Sequence, residues 1–224
     1  VPRISDARRA APKQRGSQVG FHIDHRGNVQ IRFMSRLESE QYVRLSVRPD
    51  VERLREQVPS VWYDPDGQSR THWFDIVTET PDGIRIAQAV KYEADVLDSG
   101  IEAVLLRLSR SASDPANIGA DGRPFANEYR ILDERTVCGV VVYNAELIQR
   151  FLGDRDHQAV AAVRAWLRDA PADFPLDAAK AVDGLGFRGM RALVALLASG
   201  EVVLRGHERI EPVTIFVNRL FNSR

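Results

Sequence analysis

Two runs rich in aromatic and β-branched residues, 71–77 and 84–91, flank the segment Thr80-Pro81-Asp82-Gly83. The runs have strand composition and the segment between them has turn chemistry, so together they predict a β-hairpin. The hairpin sets a carboxylate, Asp75, on one strand and an ammonium, Lys91, at the end of the next. A carboxylate that holds Mg²⁺, with a lysine to steady an attacking water and the developing negative charge, is a minimal set for metal-dependent phosphodiester cleavage. Glu38, on a helix predicted earlier in the chain, is the third candidate of that set.

At 224 residues the chain can bury a substantial core in one large domain or two small ones. Its 31 basic and 31 acidic side chains balance, so no global field draws it onto nucleic acid. The balance is uneven locally. Residues 1–19 read as a flexible basic arm, in which Arg8, Arg9, Lys13 and Arg15 are candidate phosphate contacts. One cysteine, Cys138, excludes an internal disulfide and an all-cysteine metal site within one chain, which fits a reducing cytoplasm. No apolar run is long enough to span a bilayer, and no signal peptide is read at the start.

Taken in order, residues 20–33 read as a short hairpin turning at Arg26-Gly27-Asn28. His22 and His25 beside Asp24 are read as surface polar groups in preference to metal ligands. Ser35-Arg36-Leu37-Glu38 opens a helix with Leu37, Tyr42 and Leu45 toward a core, ending before Pro49. Ser35 and Glu38 also make a capping box, a structural role for Glu38 that competes with a catalytic one. Pro49-Asp50-Val51 is expected to start a helical turn. A strand over 58–63 ends at Asp64-Pro65-Asp66-Gly67, completing a three-stranded antiparallel meander with the central hairpin. Ser99 to Glu102 forms a second expected capping box, opening an amphipathic helix through Leu105 and Leu108. A loop over 112–127 precedes a strand at 129–132 and a second expected strand at 137–142, after which Asn144 is expected to cap a short helix.

The sum predicts an α/β fold, a mixed central sheet flanked by helices over residues 20–153. Residues 153–156 look like a boundary. Beyond them, over 154–224, three helices followed by a β-hairpin describe a winged-helix-like domain. Its third helix offers Arg188 and Arg191 as candidate DNA contacts, a thin endowment, so protein contact is an equal alternative.

The stretch Ser35-Arg36-Leu37-Glu38, then Pro49-Asp50-Val51, Glu56-Gln57 before Pro59, the Trp62-Tyr63 strand end, Asp75, and Val90-Lys91 resembles the TnsA-like transposon endonucleases, a branch of the PD-(D/E)xK nuclease superfamily. The resemblance covers roughly residues 20–150. It implies a restriction-endonuclease-like fold, catalytic roles for Glu38, Asp75 and Lys91, and Mg²⁺ with Mn²⁺ as substitute. It further implies DNA as substrate, with a transposase and an ATPase regulator as partners. The family carries Glu or Gln two positions before the lysine as a further metal ligand, and here that position is Ala89. Gln88 is expected to face away from Lys91, whereas Glu93 shares its parity and reaches the metal if the strand continues. The departure leaves open a naturally weak site, an accessory protein without cleavage, or an engineered inactive form. A carboxylate at 89 is expected to look into a polar cleft, so Ala89→Glu should raise cleavage with little effect on folding. The expected function is a Mg²⁺-dependent DNA endonuclease of a transposon or phage-like element. The alternatives are a non-catalytic DNA-binding or assembly protein on the same fold, or a winged-helix regulator.

Overall fold

The computed structural model describes residues 3–4, 18–25, 27–64 and 66–221. Arg8, Arg9, Lys13 and Arg15 of the expected basic arm lie outside the described residues. The chain divides into two compact units. One comprises Val1–Leu45 and Asp50–Val137, the other Ser46–Pro49 and Cys138–Arg224.

The first unit opens on a small sheet of β1 (Arg3–Ile4), β2 (Gly20–Asp24) and β3 (Val29–Phe33), with β2 and β3 forming the expected antiparallel hairpin. Helix α1 (Arg36–Ser46) follows and buries Leu37, Tyr42 and Leu45, as its spacing requires. His22 is half-buried rather than a surface group. Its ring stacks on Tyr42 at 5.4 Å and its Nε2 lies 2.7 Å from the Ser39 hydroxyl, so burial lowers its pKa. Pro49 and Asp50 form a turn, not the start of a helix.

The central sheet has four strands in the order β4 (Arg53–Tyr63), β5 (Ser69–Glu79), β6 (Arg85–Val90), β7 (Glu128–Leu132). The first three form the expected antiparallel meander. β7 joins β6 in parallel, so the sheet is mixed. Strand β4 starts five residues earlier than its β-branched stretch suggests, because Leu54 and Glu56 alternate into the interior and extend the ladder with β5.

Between β6 and β7 lie α2 (Glu93–Ser99), which the sequence reading missed, and α3 (Ile101–Arg110). Gly100, at φ 62°, joins them in the left-handed conformation, which costs glycine least. The second expected capping box does not form. Ser99 ends α2 and donates its hydroxyl to the Val96 carbonyl, so it is not available to cap α3. Ile101, Leu105 and Leu108 of α3 pack with Phe74, Val77, Ala87 and Ala89 of the sheet. The 112–127 loop is pinned by buried Asn117. Its amide donates to the carbonyls of Val61 and Ser111, and its oxygen accepts from Ser60 Oγ and Val61 N. At the other end Gln41, fully buried, donates to the Asp133 carbonyl and Thr136 Oγ1, tying α1 to the end of β7.

In the second unit, 137–142 is not a strand. Gly139 begins α4 (Gly139–Gly153), and the β-branched run occupies its first turns. Asn144 lies inside this helix rather than capping it. Its side chain donates to the Glu208 carbonyl and accepts from Ile210 N, a long-range clamp that outweighs local strand propensity. There follow α5 (His157–Leu167), β8 (Asp173–Pro175), a 3-10 segment (Leu176–Gly184), α6 (Phe187–Ala195), β9 (Val202–Leu204) and β10 (Ile215–Asn218). The strands form an antiparallel sheet in the order β8-β10-β9, so the two expected strands gain a third partner. Gly189 lets α6 approach the 3-10 segment closely, since a Cβ there would stand 2.0 Å from the Ala179 carbonyl oxygen. Among the described residues no helix is long and apolar enough to cross a membrane.

Candidate functional site

Asp75 stands where β5 departs from regular pleating. The β4–β5 register is unbroken on either side, yet the Gln57–Asp75 step is missing from the ladder, and Gln57 has φ 49°. A left-handed glutamine inside a strand costs roughly 1–2 kcal/mol. Phe74 and Val77 both enter the core beneath α3 although they are three residues apart, so the pleat rotates at Asp75. The freed Asp75 carboxylate accepts from the Val90 backbone N–H at 2.7 Å and from Gln57 Nε2 at 3.2 Å. Gln57 is a site residue that sequence reasoning passed over as a positioning group. The hairpin register, which sets 57 opposite 75, was the signal for it.

Glu38 lies in the first turn of α1, and both its oxygens are engaged. Oε2 accepts from Met34 N at 2.9 Å and Oε1 from the Ser35 hydroxyl at 3.0 Å, while Glu38 N donates to Ser35 Oγ at 3.1 Å. The cap therefore forms, with its return arm reaching Met34 N instead of Ser35 N. Lys91 follows the last residue of β6, its backbone N–H donating to the Leu132 carbonyl.

These three side chains come from separate elements, and the charges of Glu38 and Lys91 reach Asp75 while that of Lys91 reaches Glu38. Burial, then the neighbouring Glu38 carboxylate, pushes the Asp75 carboxyl up to about 6, with Val90 N–H, Gln57 and Lys91 opposing. Burial also raises Glu38, against its cap bonds and Lys91. His72 joins the group, its pKa lowered by burial and then by Lys91, and its buried Nε2 has no hydrogen-bond partner among the described residues. The site is thus a pair of crowded carboxylates beside one ammonium. Such a pair gains from a cation, because a positive charge relieves both the burial and the mutual repulsion.

Two neighbouring positions depart from expectation. Ala89 does not look into a polar cleft. It is 1 % exposed and packed in the apolar cluster beneath α3, paired in register with Ile131 of β7. Strand alternation places Gln88 on the opposite face, where its amide donates to Thr78 Oγ1 at 3.0 Å. Glu93 does not continue the strand toward Lys91, since it opens α2 and pairs with Arg135 at 2.8 Å. Among the described residues no group of three or more His, Cys, Asp or Glu side chains could hold a metal ion. Asp75 and Glu38 nonetheless fit the sparse mode in which Mg²⁺ takes one or two protein carboxylates and completes its shell with water and phosphate oxygens.

Arg188 and Arg191 are both tied to acids of their own unit. Arg188 grips Asp156 with two bonds of 2.8 and 3.0 Å, and Arg191 reaches Asp154 at 3.1 Å. The Arg188 guanidinium helps hold the Asp156 carboxyl down to about 2. Neither arginine presents an uncompensated charge to a phosphate. Comparison of the chain with family models and with curated proteins finds no match.

Proposed function

We propose that this chain is a divalent-cation-dependent DNA endonuclease of restriction-endonuclease-like fold, similar to the TnsA-like enzymes and weak in Mg²⁺. The observation that supports this reading is that Asp75, on β5, feels the charges of Glu38 on α1 and Lys91 after β6, and is pushed up to about 6. Asp75 and Glu38 would hold Mg²⁺ or Mn²⁺, which when bound supplies positive charge to the phosphodiester and acidifies a water. Gln57 and the Val90 N–H fix the Asp75 carboxylate in place. The Lys91 ammonium orients the water and stabilises charge developing on the phosphate oxygens. Ala89 adds no anionic oxygen, so affinity for the ion is low.

From α5 onward the second unit supports a winged-helix reading through its order of helix, strand, 3-10 segment, helix and two strands, with the first strand pairing with the last. Its paired arginines favour a protein partner over DNA. An apolar groove of about 240 Å³ beside α6, with Leu147, Phe151, Met190 and the 73 % exposed Phe187, offers the contact surface.

A second reading, a non-catalytic assembly protein on the same fold, is favoured by one observation: all four carboxylate oxygens of Glu38 and Asp75 already accept hydrogen bonds. Nicking of supercoiled plasmid separates the two. The nuclease reading expects slow nicking in Mg²⁺, faster nicking in Mn²⁺, and a loss of roughly 100-fold or more in Lys91→Ala. DNA binding without nicking in either metal would leave the assembly reading.

A further inference from the structure

The first unit carries a second cleft that shares none of Glu38, Asp75, Lys91 or His72. It has a volume of about 480 Å³ and lies between β4, β5, β6 and the 112–127 loop, with Arg53, Arg55, Arg85, Glu79 and Asp121 as its charged lining. The sheet register explains the gathering. Arg53 pairs with Glu79, and Glu79 pairs with Arg85, so these three side chains form one row across three strands. Arg55 stands two residues further along β4 and projects from the same face.

The charges in this row do not balance. Glu79 is shared, since Arg123 takes its Oε1 at 2.9 Å while Arg85 Nε lies 3.9 Å from the same oxygen. Asp121 is taken by the terminal nitrogen of Arg85. That leaves Arg53 and Arg55, both exposed, with no hydrogen-bond or ion-pair partner among the described residues. Arg85 Nε, itself buried, also makes no hydrogen bond among the described residues. Counting Arg123, which pairs with Glu79 from outside the lining, four guanidinium groups thus share two carboxylates. Although Arg55 is exposed, partial desolvation against the cleft wall and then the adjacent Arg85 lower its pKa, with Glu79 and Asp121 opposing. Folding gains nothing from such an arrangement, whereas an anion would relieve it.

We propose that this cleft binds a small phosphate-bearing ligand, with Arg53 and Arg55 gripping a doubly charged phosphate or pyrophosphate group. Guanidinium forks match tetrahedral oxyanions through paired N–H donors, and the excess of two positive charges matches a phosphate dianion. The volume falls in the usual range for small-molecule sites, and Phe125, Ile118 and Pro59 supply an apolar wall for an organic portion of nucleotide size. The site is independent of the endonuclease reading and stands or falls without it.

Calorimetric titration of the full chain with inorganic pyrophosphate, then with a nucleoside diphosphate, tests this. Saturable binding is expected, weakened roughly 10-fold or more by Arg55→Ala and abolished by Arg55→Glu. Tighter binding of the nucleoside diphosphate identifies the organic wall as part of the site, and equal binding restricts the site to the phosphate group. Because the Arg55 side chain makes no hydrogen bond or ion pair among the described residues, its variants should melt as the unmodified chain does. Arg53→Ala supplies a second variant if they do not. Absence of saturable pyrophosphate binding, or binding indifferent to both arginines, overturns the proposal. So does loss of duplex DNA binding in Arg55→Glu when pyrophosphate is inert, which would make the cleft a nucleic-acid contact.

Discussion

Both units hold matched ion pairs, but the first also sets like charges side by side. In the second unit Arg188 meets Asp156, Arg191 meets Asp154 and Arg164 meets Glu201 with two bonds of 2.7 and 2.8 Å. In the first, Asp75 is buried beside another carboxylate, and Arg55 is held beside another arginine. Paired surface charges contribute little to stability and ask nothing of a ligand. Like charges held close cost free energy that only a bound counter-charge returns. On the functions proposed above, the contrast puts the binding chemistry in the first unit and leaves the second to make contacts by shape and apolar surface.

The largest expected effect comes from forcing a charge into the first unit where it has no cleft. Ala89→Glu buries a carboxylate among Phe74, Val77 and Leu105, and should destabilise the fold by roughly 3–5 kcal/mol. Urea unfolding measures this, and an unchanged midpoint with raised nicking would restore the polar-cleft expectation. In the second unit, where charges are matched, steric crowding is the effective probe. Gly189→Ala places a methyl against the Ala179 carbonyl and should cost roughly 2–4 kcal/mol, read by thermal melting.

Asp75→Asn sharpens the contrast from the other side. The folded-state pKa of about 6 lies above the ordinary value of 3.8, so the folded protein holds this proton more tightly than the unfolded chain. The contribution to stability is fully present below about pH 4 and is lost as pH rises through about 6. The asparagine variant should lack that slope and gain roughly 1–3 kcal/mol at pH 8, while losing nicking. Stability that falls instead would mean that the Val90 and Gln57 bonds outweigh the burial. The smallest effect belongs to Arg188→Ala. Its partly exposed partner Asp156 should titrate nearer the ordinary range than the present value of about 2, with no resolvable change in melting temperature. Carboxylate NMR follows that titration, and a large drop in stability would show that the second unit depends on its ion pairs after all.

The sequence by itself determined whatever depends on neighbours in the chain. The meander of β4 to β6 was legible because turn residues separate runs of strand composition, and α1 because Leu37, Tyr42 and Leu45 share a helical face with Ser35 as its cap. Period-2 alternation likewise told that Ala89 and Gln88 point to opposite faces. It could not tell which face α3 would cover, since that depends on where a helix twelve residues away packs. Residues 137–142 have strand composition, yet they open α4, whose Asn144 is clamped by Glu208 and Ile210 more than sixty positions on. The fate of each charge was decided in the same way. Asp156 and Arg188 are 32 residues apart, and Arg55 and Arg85 meet only through the register of three strands. Local signals fix elements because hydrogen bonding and side-chain periodicity act over a few residues. Packing decides which side chains are buried and which charges meet, because those free energies arise between segments that the sequence keeps apart.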